Sequence, residues 1–223
     1  MSYRILLVEP DRLAASEVVQ TLTDAGHRVA WVDSFAEAAW VSSSDAPDLM
    51  IAALRLGAFN GLHLLMHVRA HDPDLAVVIV CEAGDFSVDI SRFGARYVAK
   101  PIDPLSLRAV VSELLAGRSP HDPGGTRIWP RKLAELSATV QDGMARIVEL
   151  SYGGVRLNLE RPPPSGSHAP LEIKLPSLGV SVQAVARWIR PAEDGGSWWC
   201  GAEVALPTPD AARTWRWVVA SVN

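Results

Sequence analysis

Through its first half the chain alternates short apolar runs with amphipathic stretches, and this alternation restricts the fold more than any other property. YRILLV precedes DRLAASEVVQTLTDAG, RVAWV precedes FAEAAWVSS, and DLMIAAL precedes GLHLLMHVRAH. LAVVIV then precedes DFSVDISRFG, and ARYVAK precedes DPLSLRAVVSELLAG. Apolar strands, each followed by a helix of amphipathic period, predict a five-stranded parallel sheet with helices on both faces. The pattern stops at GRSPHDPGG, Gly117 to Gly125, which has no hydrophobic period and reads as a flexible linker. Beyond it ARIVELS, GVRLNLE, LEIKLP, VSVQAVARWIRP and WWCGAEVAL alternate apolar with polar residues between turn signals, which predicts a small barrel or sandwich. Only Pro209 to Val219 reads as helix there.

Composition supports the same division. Residues 1–120 carry 10 Lys and Arg against 15 Asp and Glu, whereas 121–223 carry 11 against 10 and hold six of the eight tryptophans. The expected boundaries are a domain at 1–117, a linker at 118–125 and a second domain at 126–223. No apolar run approaches the length of a membrane span, and MSYRILLVEPDR lacks the features of a secretory leader, so a cytoplasmic protein is expected. Cys81 and Cys200 lie far apart in apolar or aromatic surroundings and read as reduced core residues. The net charge of −4 and the lack of a basic stripe argue against nucleic-acid binding.

Ala53 is the most informative single residue. It ends the third apolar run, LMIAA, where an α/β fold turns a side chain toward its ligand crevice and a carboxylate would be expected to do chemistry. YRILLVEPD, PDLMIAALRLGAFNGLHLL, VVIVCEAGD and GARYVAKPIDPLSL together resemble the response-regulator receiver domain over residues 3 to about 116. The resemblance implies a phosphoacceptor aspartate ending the third strand, magnesium held by it and by an acidic pair, a hydroxyl ending the fourth strand and a lysine before a proline. Carried onto this chain, those positions hold Ala53, Glu9 with Pro10, Glu82 and Lys100. Alanine has no nucleophile, so a pseudo-receiver that phosphate does not switch is expected. Asp11 is a neighbouring carboxylate with an oxygen to lend, and Glu9, Asp11 or Glu82 is expected to pair with Lys100 unless Glu82 simply points to water. His63, His67 and His71 recur every fourth residue, a spacing that can suit a metal, but with no completing ligand they read as a solvated helix face and no metal is expected.

The second half resembles the PilZ domain, a six-stranded barrel with a C-terminal helix that binds cyclic di-GMP. The resemblance rests on RIWPR, RIVELSYGGVRL, VQAVARWIRP and WWCGAEVALP. The family's Arg-x-x-x-Arg falls on Arg127 and Arg131, and its Asp/Asn-x-Ser-x-x-Gly falls on Glu149, Ser151 and Gly154. Guanidinium forks suit phosphate and guanine edges, a serine can donate to phosphate, and glycine permits close backbone approach. Glu149 departs from the pattern by one methylene, which would reach differently toward a guanine. The expected function is a non-enzymatic signalling receptor: cyclic di-GMP binds the barrel, no other cofactor is needed, and the pseudo-receiver docks a signalling protein. The alternative is a scaffold in which the barrel binds no nucleotide. By resemblance, Phe93 to Leu115 is the expected contact region for a homodimer.

Overall fold

Every residue of the first strand, RILLV, is buried, as expected of a strand covered on both faces. The computed structural model describes residues 1–82, 87–122, 125, 127–164, 166–193, 195–206 and 208–222. The start of the expected fourth helix at 85–86 and parts of the expected linker therefore lie outside the described residues. The chain forms two compact units, Met1–Ile128 and Trp129–Asn223.

In the first unit the elements run β1 (Arg4–Val8), α1 (Arg12–Asp24), β2 (Arg28–Val32), α2 (Phe35–Ser44), β3 (Leu49–Ala53), β4 (Arg55–Leu56), β5 (Phe59–Asn60), α3 (Gly61–Arg69), β6 (Ala76–Glu82), α4 (Ser87–Arg92), β7 (Arg96–Lys100) and α5 (Pro104–Leu115). Five strands form one parallel sheet in the order β2-β1-β3-β6-β7. One face packs Ile5, Leu7, Ile51, Val78 and Val80 with Val18 and Leu22 of α1 and Leu107 and Val111 of α5. Leu6, Met50 and Ile79, at alternate positions, are also buried, so helices cover both faces. Because β1 lies between β2 and β3, the strand order reverses there and leaves a crevice at the carboxyl ends of β1 and β3. The small β4-β5 ribbon, which the sequence pattern did not announce, leads into α3, whose first turn is capped by Asn60 accepting from the His63 amide at 2.9 Å.

At the opposite ends of the strands, described residues of the segment expected to be a linker are bonded to this unit. Tyr3 Oη donates to the Arg118 carbonyl at 2.8 Å, and Arg118 donates to the Asp74 carbonyl at 2.9 Å. The buried Asp48 carboxylate accepts from the backbone amides of Arg4 at 2.7 Å and His121 at 2.8 Å, and His121 Nδ1 lies 2.7 Å from it. Arg28, also buried, donates to the Asp122 carboxylate at 3.1 Å, the Asp122 carbonyl at 2.8 Å and the Arg127 carbonyl at 3.2 Å. Buried charges require such partners, and here the segment after α5 supplies them. The first unit consequently runs on to Ile128 and includes Arg127.

The second unit comprises β8 (Lys132–Val140), β9 (Gly143–Ser151), β10 (Gly154–Leu159), β11 (Pro170–Leu175), β12 (Val180–Pro191), β13 (Trp198–Ala205) and α6 (Pro209–Ser221). The strands close antiparallel in the order β10-β13-β12-β11-β8-β9, so the β-rich half is a barrel, not a sandwich. Ile147, Leu157, Leu171, Ile173, Leu175 and Cys200 are fully buried. Thr208 caps α6, Pro209 occupies its first turn, and Trp215, Val218 and Val219 form its fully buried stripe. Among the described residues no helix is long and apolar enough to cross a membrane.

Candidate functional site

The crevice of the first unit gathers the residues that the sequence placed there. Glu9, Pro10, Asp11, Ala53, Leu54, Arg55, Val80, Cys81, Glu82 and Lys100 line a cavity of about 190 Å³. Its floor at Ala53 is a methyl group that is 5% exposed. Lys100 Nζ lies 2.7 Å from Glu9 Oε2, and the Glu9 side chain is only 6% exposed. The other Glu9 oxygen accepts from the Asp11 amide at 3.0 Å. Of the three carboxylates proposed from sequence, Glu9 is the one that holds the lysine. Glu82 sits opposite Lys100 in the β6-β7 register yet is exposed, because it ends its strand facing outward.

Asp11 has a different role from lending an oxygen to a metal. One of its carboxylate oxygens caps α1, accepting from the amides of Leu13 at 2.8 Å and Ala14 at 3.2 Å. Magnesium requires oxygen ligands in near-octahedral array. Ala53 and Pro10 offer no side-chain oxygen, and both Glu9 oxygens are engaged, so this donor set does not suit the ion that a receiver crevice holds.

His63 and His67 lie on α3 and His71 just beyond it, and all three are exposed. The His67 ring lies 5.7 Å from Phe35, which stacks on Phe59 at 4.7 Å, and 5.5 Å from the His71 ring. Among the described residues no group of three or more His, Cys, Asp or Glu side chains is placed to hold a metal.

In the barrel the four PilZ-like positions of the second unit have distinct surroundings. A two-residue turn at Tyr152–Gly153 joins β9 to β10 and sets Ser151 opposite Gly154, Leu150 opposite Val155 and Glu149 opposite Arg156. The Glu149 carboxylate is shared between two arginines: Arg131 Nη1 lies 2.7 Å from one oxygen and Arg156 Nη1 2.9 Å from the other. Ser151 is buried and its hydroxyl donates to the Gly154 carbonyl at 3.3 Å, within the hairpin. At Gly154 a Cβ would come within 2.7 Å of the Ala202 carbonyl oxygen, so glycine here permits close packing of β10 on β13. Arg127 belongs to the first unit. Sequence reasoning missed Arg156, although counting outward from the Tyr-Gly turn pairs it with Glu149.

Burial alone would raise the Glu149 pKa, but hydrogen bonds and charge from Arg131 and Arg156 outweigh it and leave the pKa lowered. A carboxylate with a depressed folded pKa contributes stability that is present above its unfolded value and lost as pH falls through the folded one. Acid unfolding curves of wild type and Glu149→Gln are therefore expected to differ by on the order of 1 kcal/mol at neutral pH, allowing for partial solvent screening. The gap should close below the ordinary carboxylate range. An unchanged gap at low pH would contradict the assignment. Cys200 is buried, with its thiol pKa pushed up to about 11, and both cysteines are free.

Residues 5–112 match the response regulator receiver domain family. Response regulator protein FleR of Pseudomonas aeruginosa is 32% identical over 147 residues, which covers 63% of this chain and 31% of that protein. The alginate biosynthesis transcriptional regulatory protein AlgB of Pseudomonas syringae is 36% identical over 118 residues, covering 52% of this chain and 26% of its own. The chain thus spans about a third or less of the length of these curated relatives. The crystal structure of NtrX from Brucella abortus in complex with ADP superposes with a TM-score of 0.50 at 27% identity, over 52% of this chain and 27% of that one. Sheet order, crevice and sequence similarity agree, and the chain carries, over residues 5–112, a response regulator receiver domain.

Proposed function

We propose that this chain is a non-enzymatic bacterial signalling protein in which the receiver domain works without phosphorylation, as a protein-docking module, and the PilZ-like barrel binds cyclic di-GMP. The observation that carries the reading is the Lys100–Glu9 pair beside the Ala53 methyl. The cation that would meet a phosphoryl group already has a fixed, nearly buried anion, and no nucleophile stands where the group would attach. A receiver of this kind offers a partner one constant surface. The barrel contributes two arginines around a single carboxylate, a net positive cluster suited to a phosphate-bearing ligand in the cytoplasm.

A second reading has its own support. Arg131 already holds an anion in Glu149, so a ligand must share or displace it, and a barrel that binds only protein would need no such exchange. Isothermal titration of the full chain with cyclic di-GMP separates the two. Saturable heat at one site per chain is the expected outcome. No heat at millimolar ligand leaves the scaffold.

A further inference from the structure

The cluster around Glu149 extends beyond the PilZ-like pattern to Arg156, and the geometry there differs from that of an ordinary cross-strand ion pair. Only one guanidinium nitrogen of Arg156 faces Glu149. The guanidinium lies over the Trp199 ring, 4.4 Å from its centroid, a cation–π distance. Its Nε is buried and finds no acceptor among the described residues. Across β13 the facing residue is Gly201, against which the Trp188 indole packs so closely that a Cβ would collide with it. Arg156 is therefore bordered by the Glu149 carboxylate and the Trp199 ring.

The other residues of the pattern are less available. The Ser151 hydroxyl is engaged within its hairpin, and Gly154 is required by β13. Glu149 accepts from Arg131 and Arg156 through separate oxygens, which holds two guanidiniums on either side of one negative charge and leaves further N–H donors on each. A planar fork with a fixed orientation recognises phosphate oxygens better than a mobile point charge does.

We infer that Arg156, oriented by Trp199 and Glu149, is the second ligand-gripping arginine of the barrel and holds a phosphate of the cyclic dinucleotide together with Arg131. This rests on the receptor reading above and adds a residue to its site. The test is isothermal titration of the full chain with cyclic di-GMP, with near-ultraviolet circular dichroism to confirm folding. Arg156→Ala should weaken binding about 10- to 100-fold, the range for a hydrogen bond to a charged group. Arg156→Lys, which keeps the charge and a donor to Glu149 but loses the fork, should also weaken it, and decides the matter if the alanine variant misfolds. Wild-type binding that both variants match within twofold would overturn the role of Arg156 and leave the receptor reading standing. If wild type shows no heat at millimolar ligand, the receptor reading fails and this inference fails with it.

Discussion

Incubated with acetyl phosphate and magnesium, the full chain is expected to keep its intact mass. The side chain at the floor of the crevice is a methyl group, the Glu9 carboxylate beside it is held by Lys100, and an Asp11 oxygen caps α1. Ala53→Asp alone should remain almost unmodified. The new carboxylate would compete with Glu9 for Lys100, Pro10 would still give magnesium no oxygen, and an exposed glutamate at 82 replaces the usual hydroxyl. Intact-mass spectrometry after dilution from the phosphodonor checks both proteins. One phosphoryl group per wild-type chain, located in residues 1–117, would mean that another side chain does the chemistry and that the receiver is a switch after all.

Trp215→Ala should destabilise the barrel by about 3–5 kcal/mol, the range for deleting a buried tryptophan. Trp215 is fully buried on the inner stripe of α6, and its indole nitrogen donates to the Ser151 carbonyl at 2.9 Å. The substitution therefore opens a cavity and also leaves a buried acceptor without its donor. For a unit of this size the melting temperature should drop by roughly 15 °C or more. Trp215→Phe, which keeps most of the volume but loses the hydrogen bond, should cost about 1 kcal/mol. Denaturant titrations followed by circular dichroism measure both. A loss of less than about 1 kcal/mol for the alanine variant would show that α6 does not seal the barrel as its burial indicates.

The strand-helix alternation made the receiver half legible because parallel strands buried on both faces leave unbroken apolar runs such as LMIAA and AVVIVC. The crevice residues were legible too, since topology alone brings the ends of those strands together. Which carboxylate would hold Lys100 was not. That depends on whether a side chain at a strand end turns inward, as Glu9 does, or outward, as Glu82 does, and the local sequence does not encode it. In the barrel β8 escaped notice because its alternation is interrupted. Leu133 is 80% exposed, and the register with β9 shifts between Leu133 and Leu136. The bonds made by the expected linker were not legible for a further reason. Gly, Pro and Ser predict a lack of regular structure, and the described residues of the segment form no helix or strand, but composition says nothing of hydrogen bonds made to charges such as Asp48 and Arg28 that lie far away in sequence.

Those bonds change what counts as a separable module. A fragment cut after residue 117, where the helical pattern ends, would strand an aspartate and an arginine in its interior, deprived of the His121, Asp122 and Arg127 groups that satisfy them. Arg118, His121, Asp122 and Arg127 thus form part of the floor of the first unit and cannot be exchanged as the residues of a spacer could. Recombination that grafted a different domain after this receiver would have to carry the floor along with it.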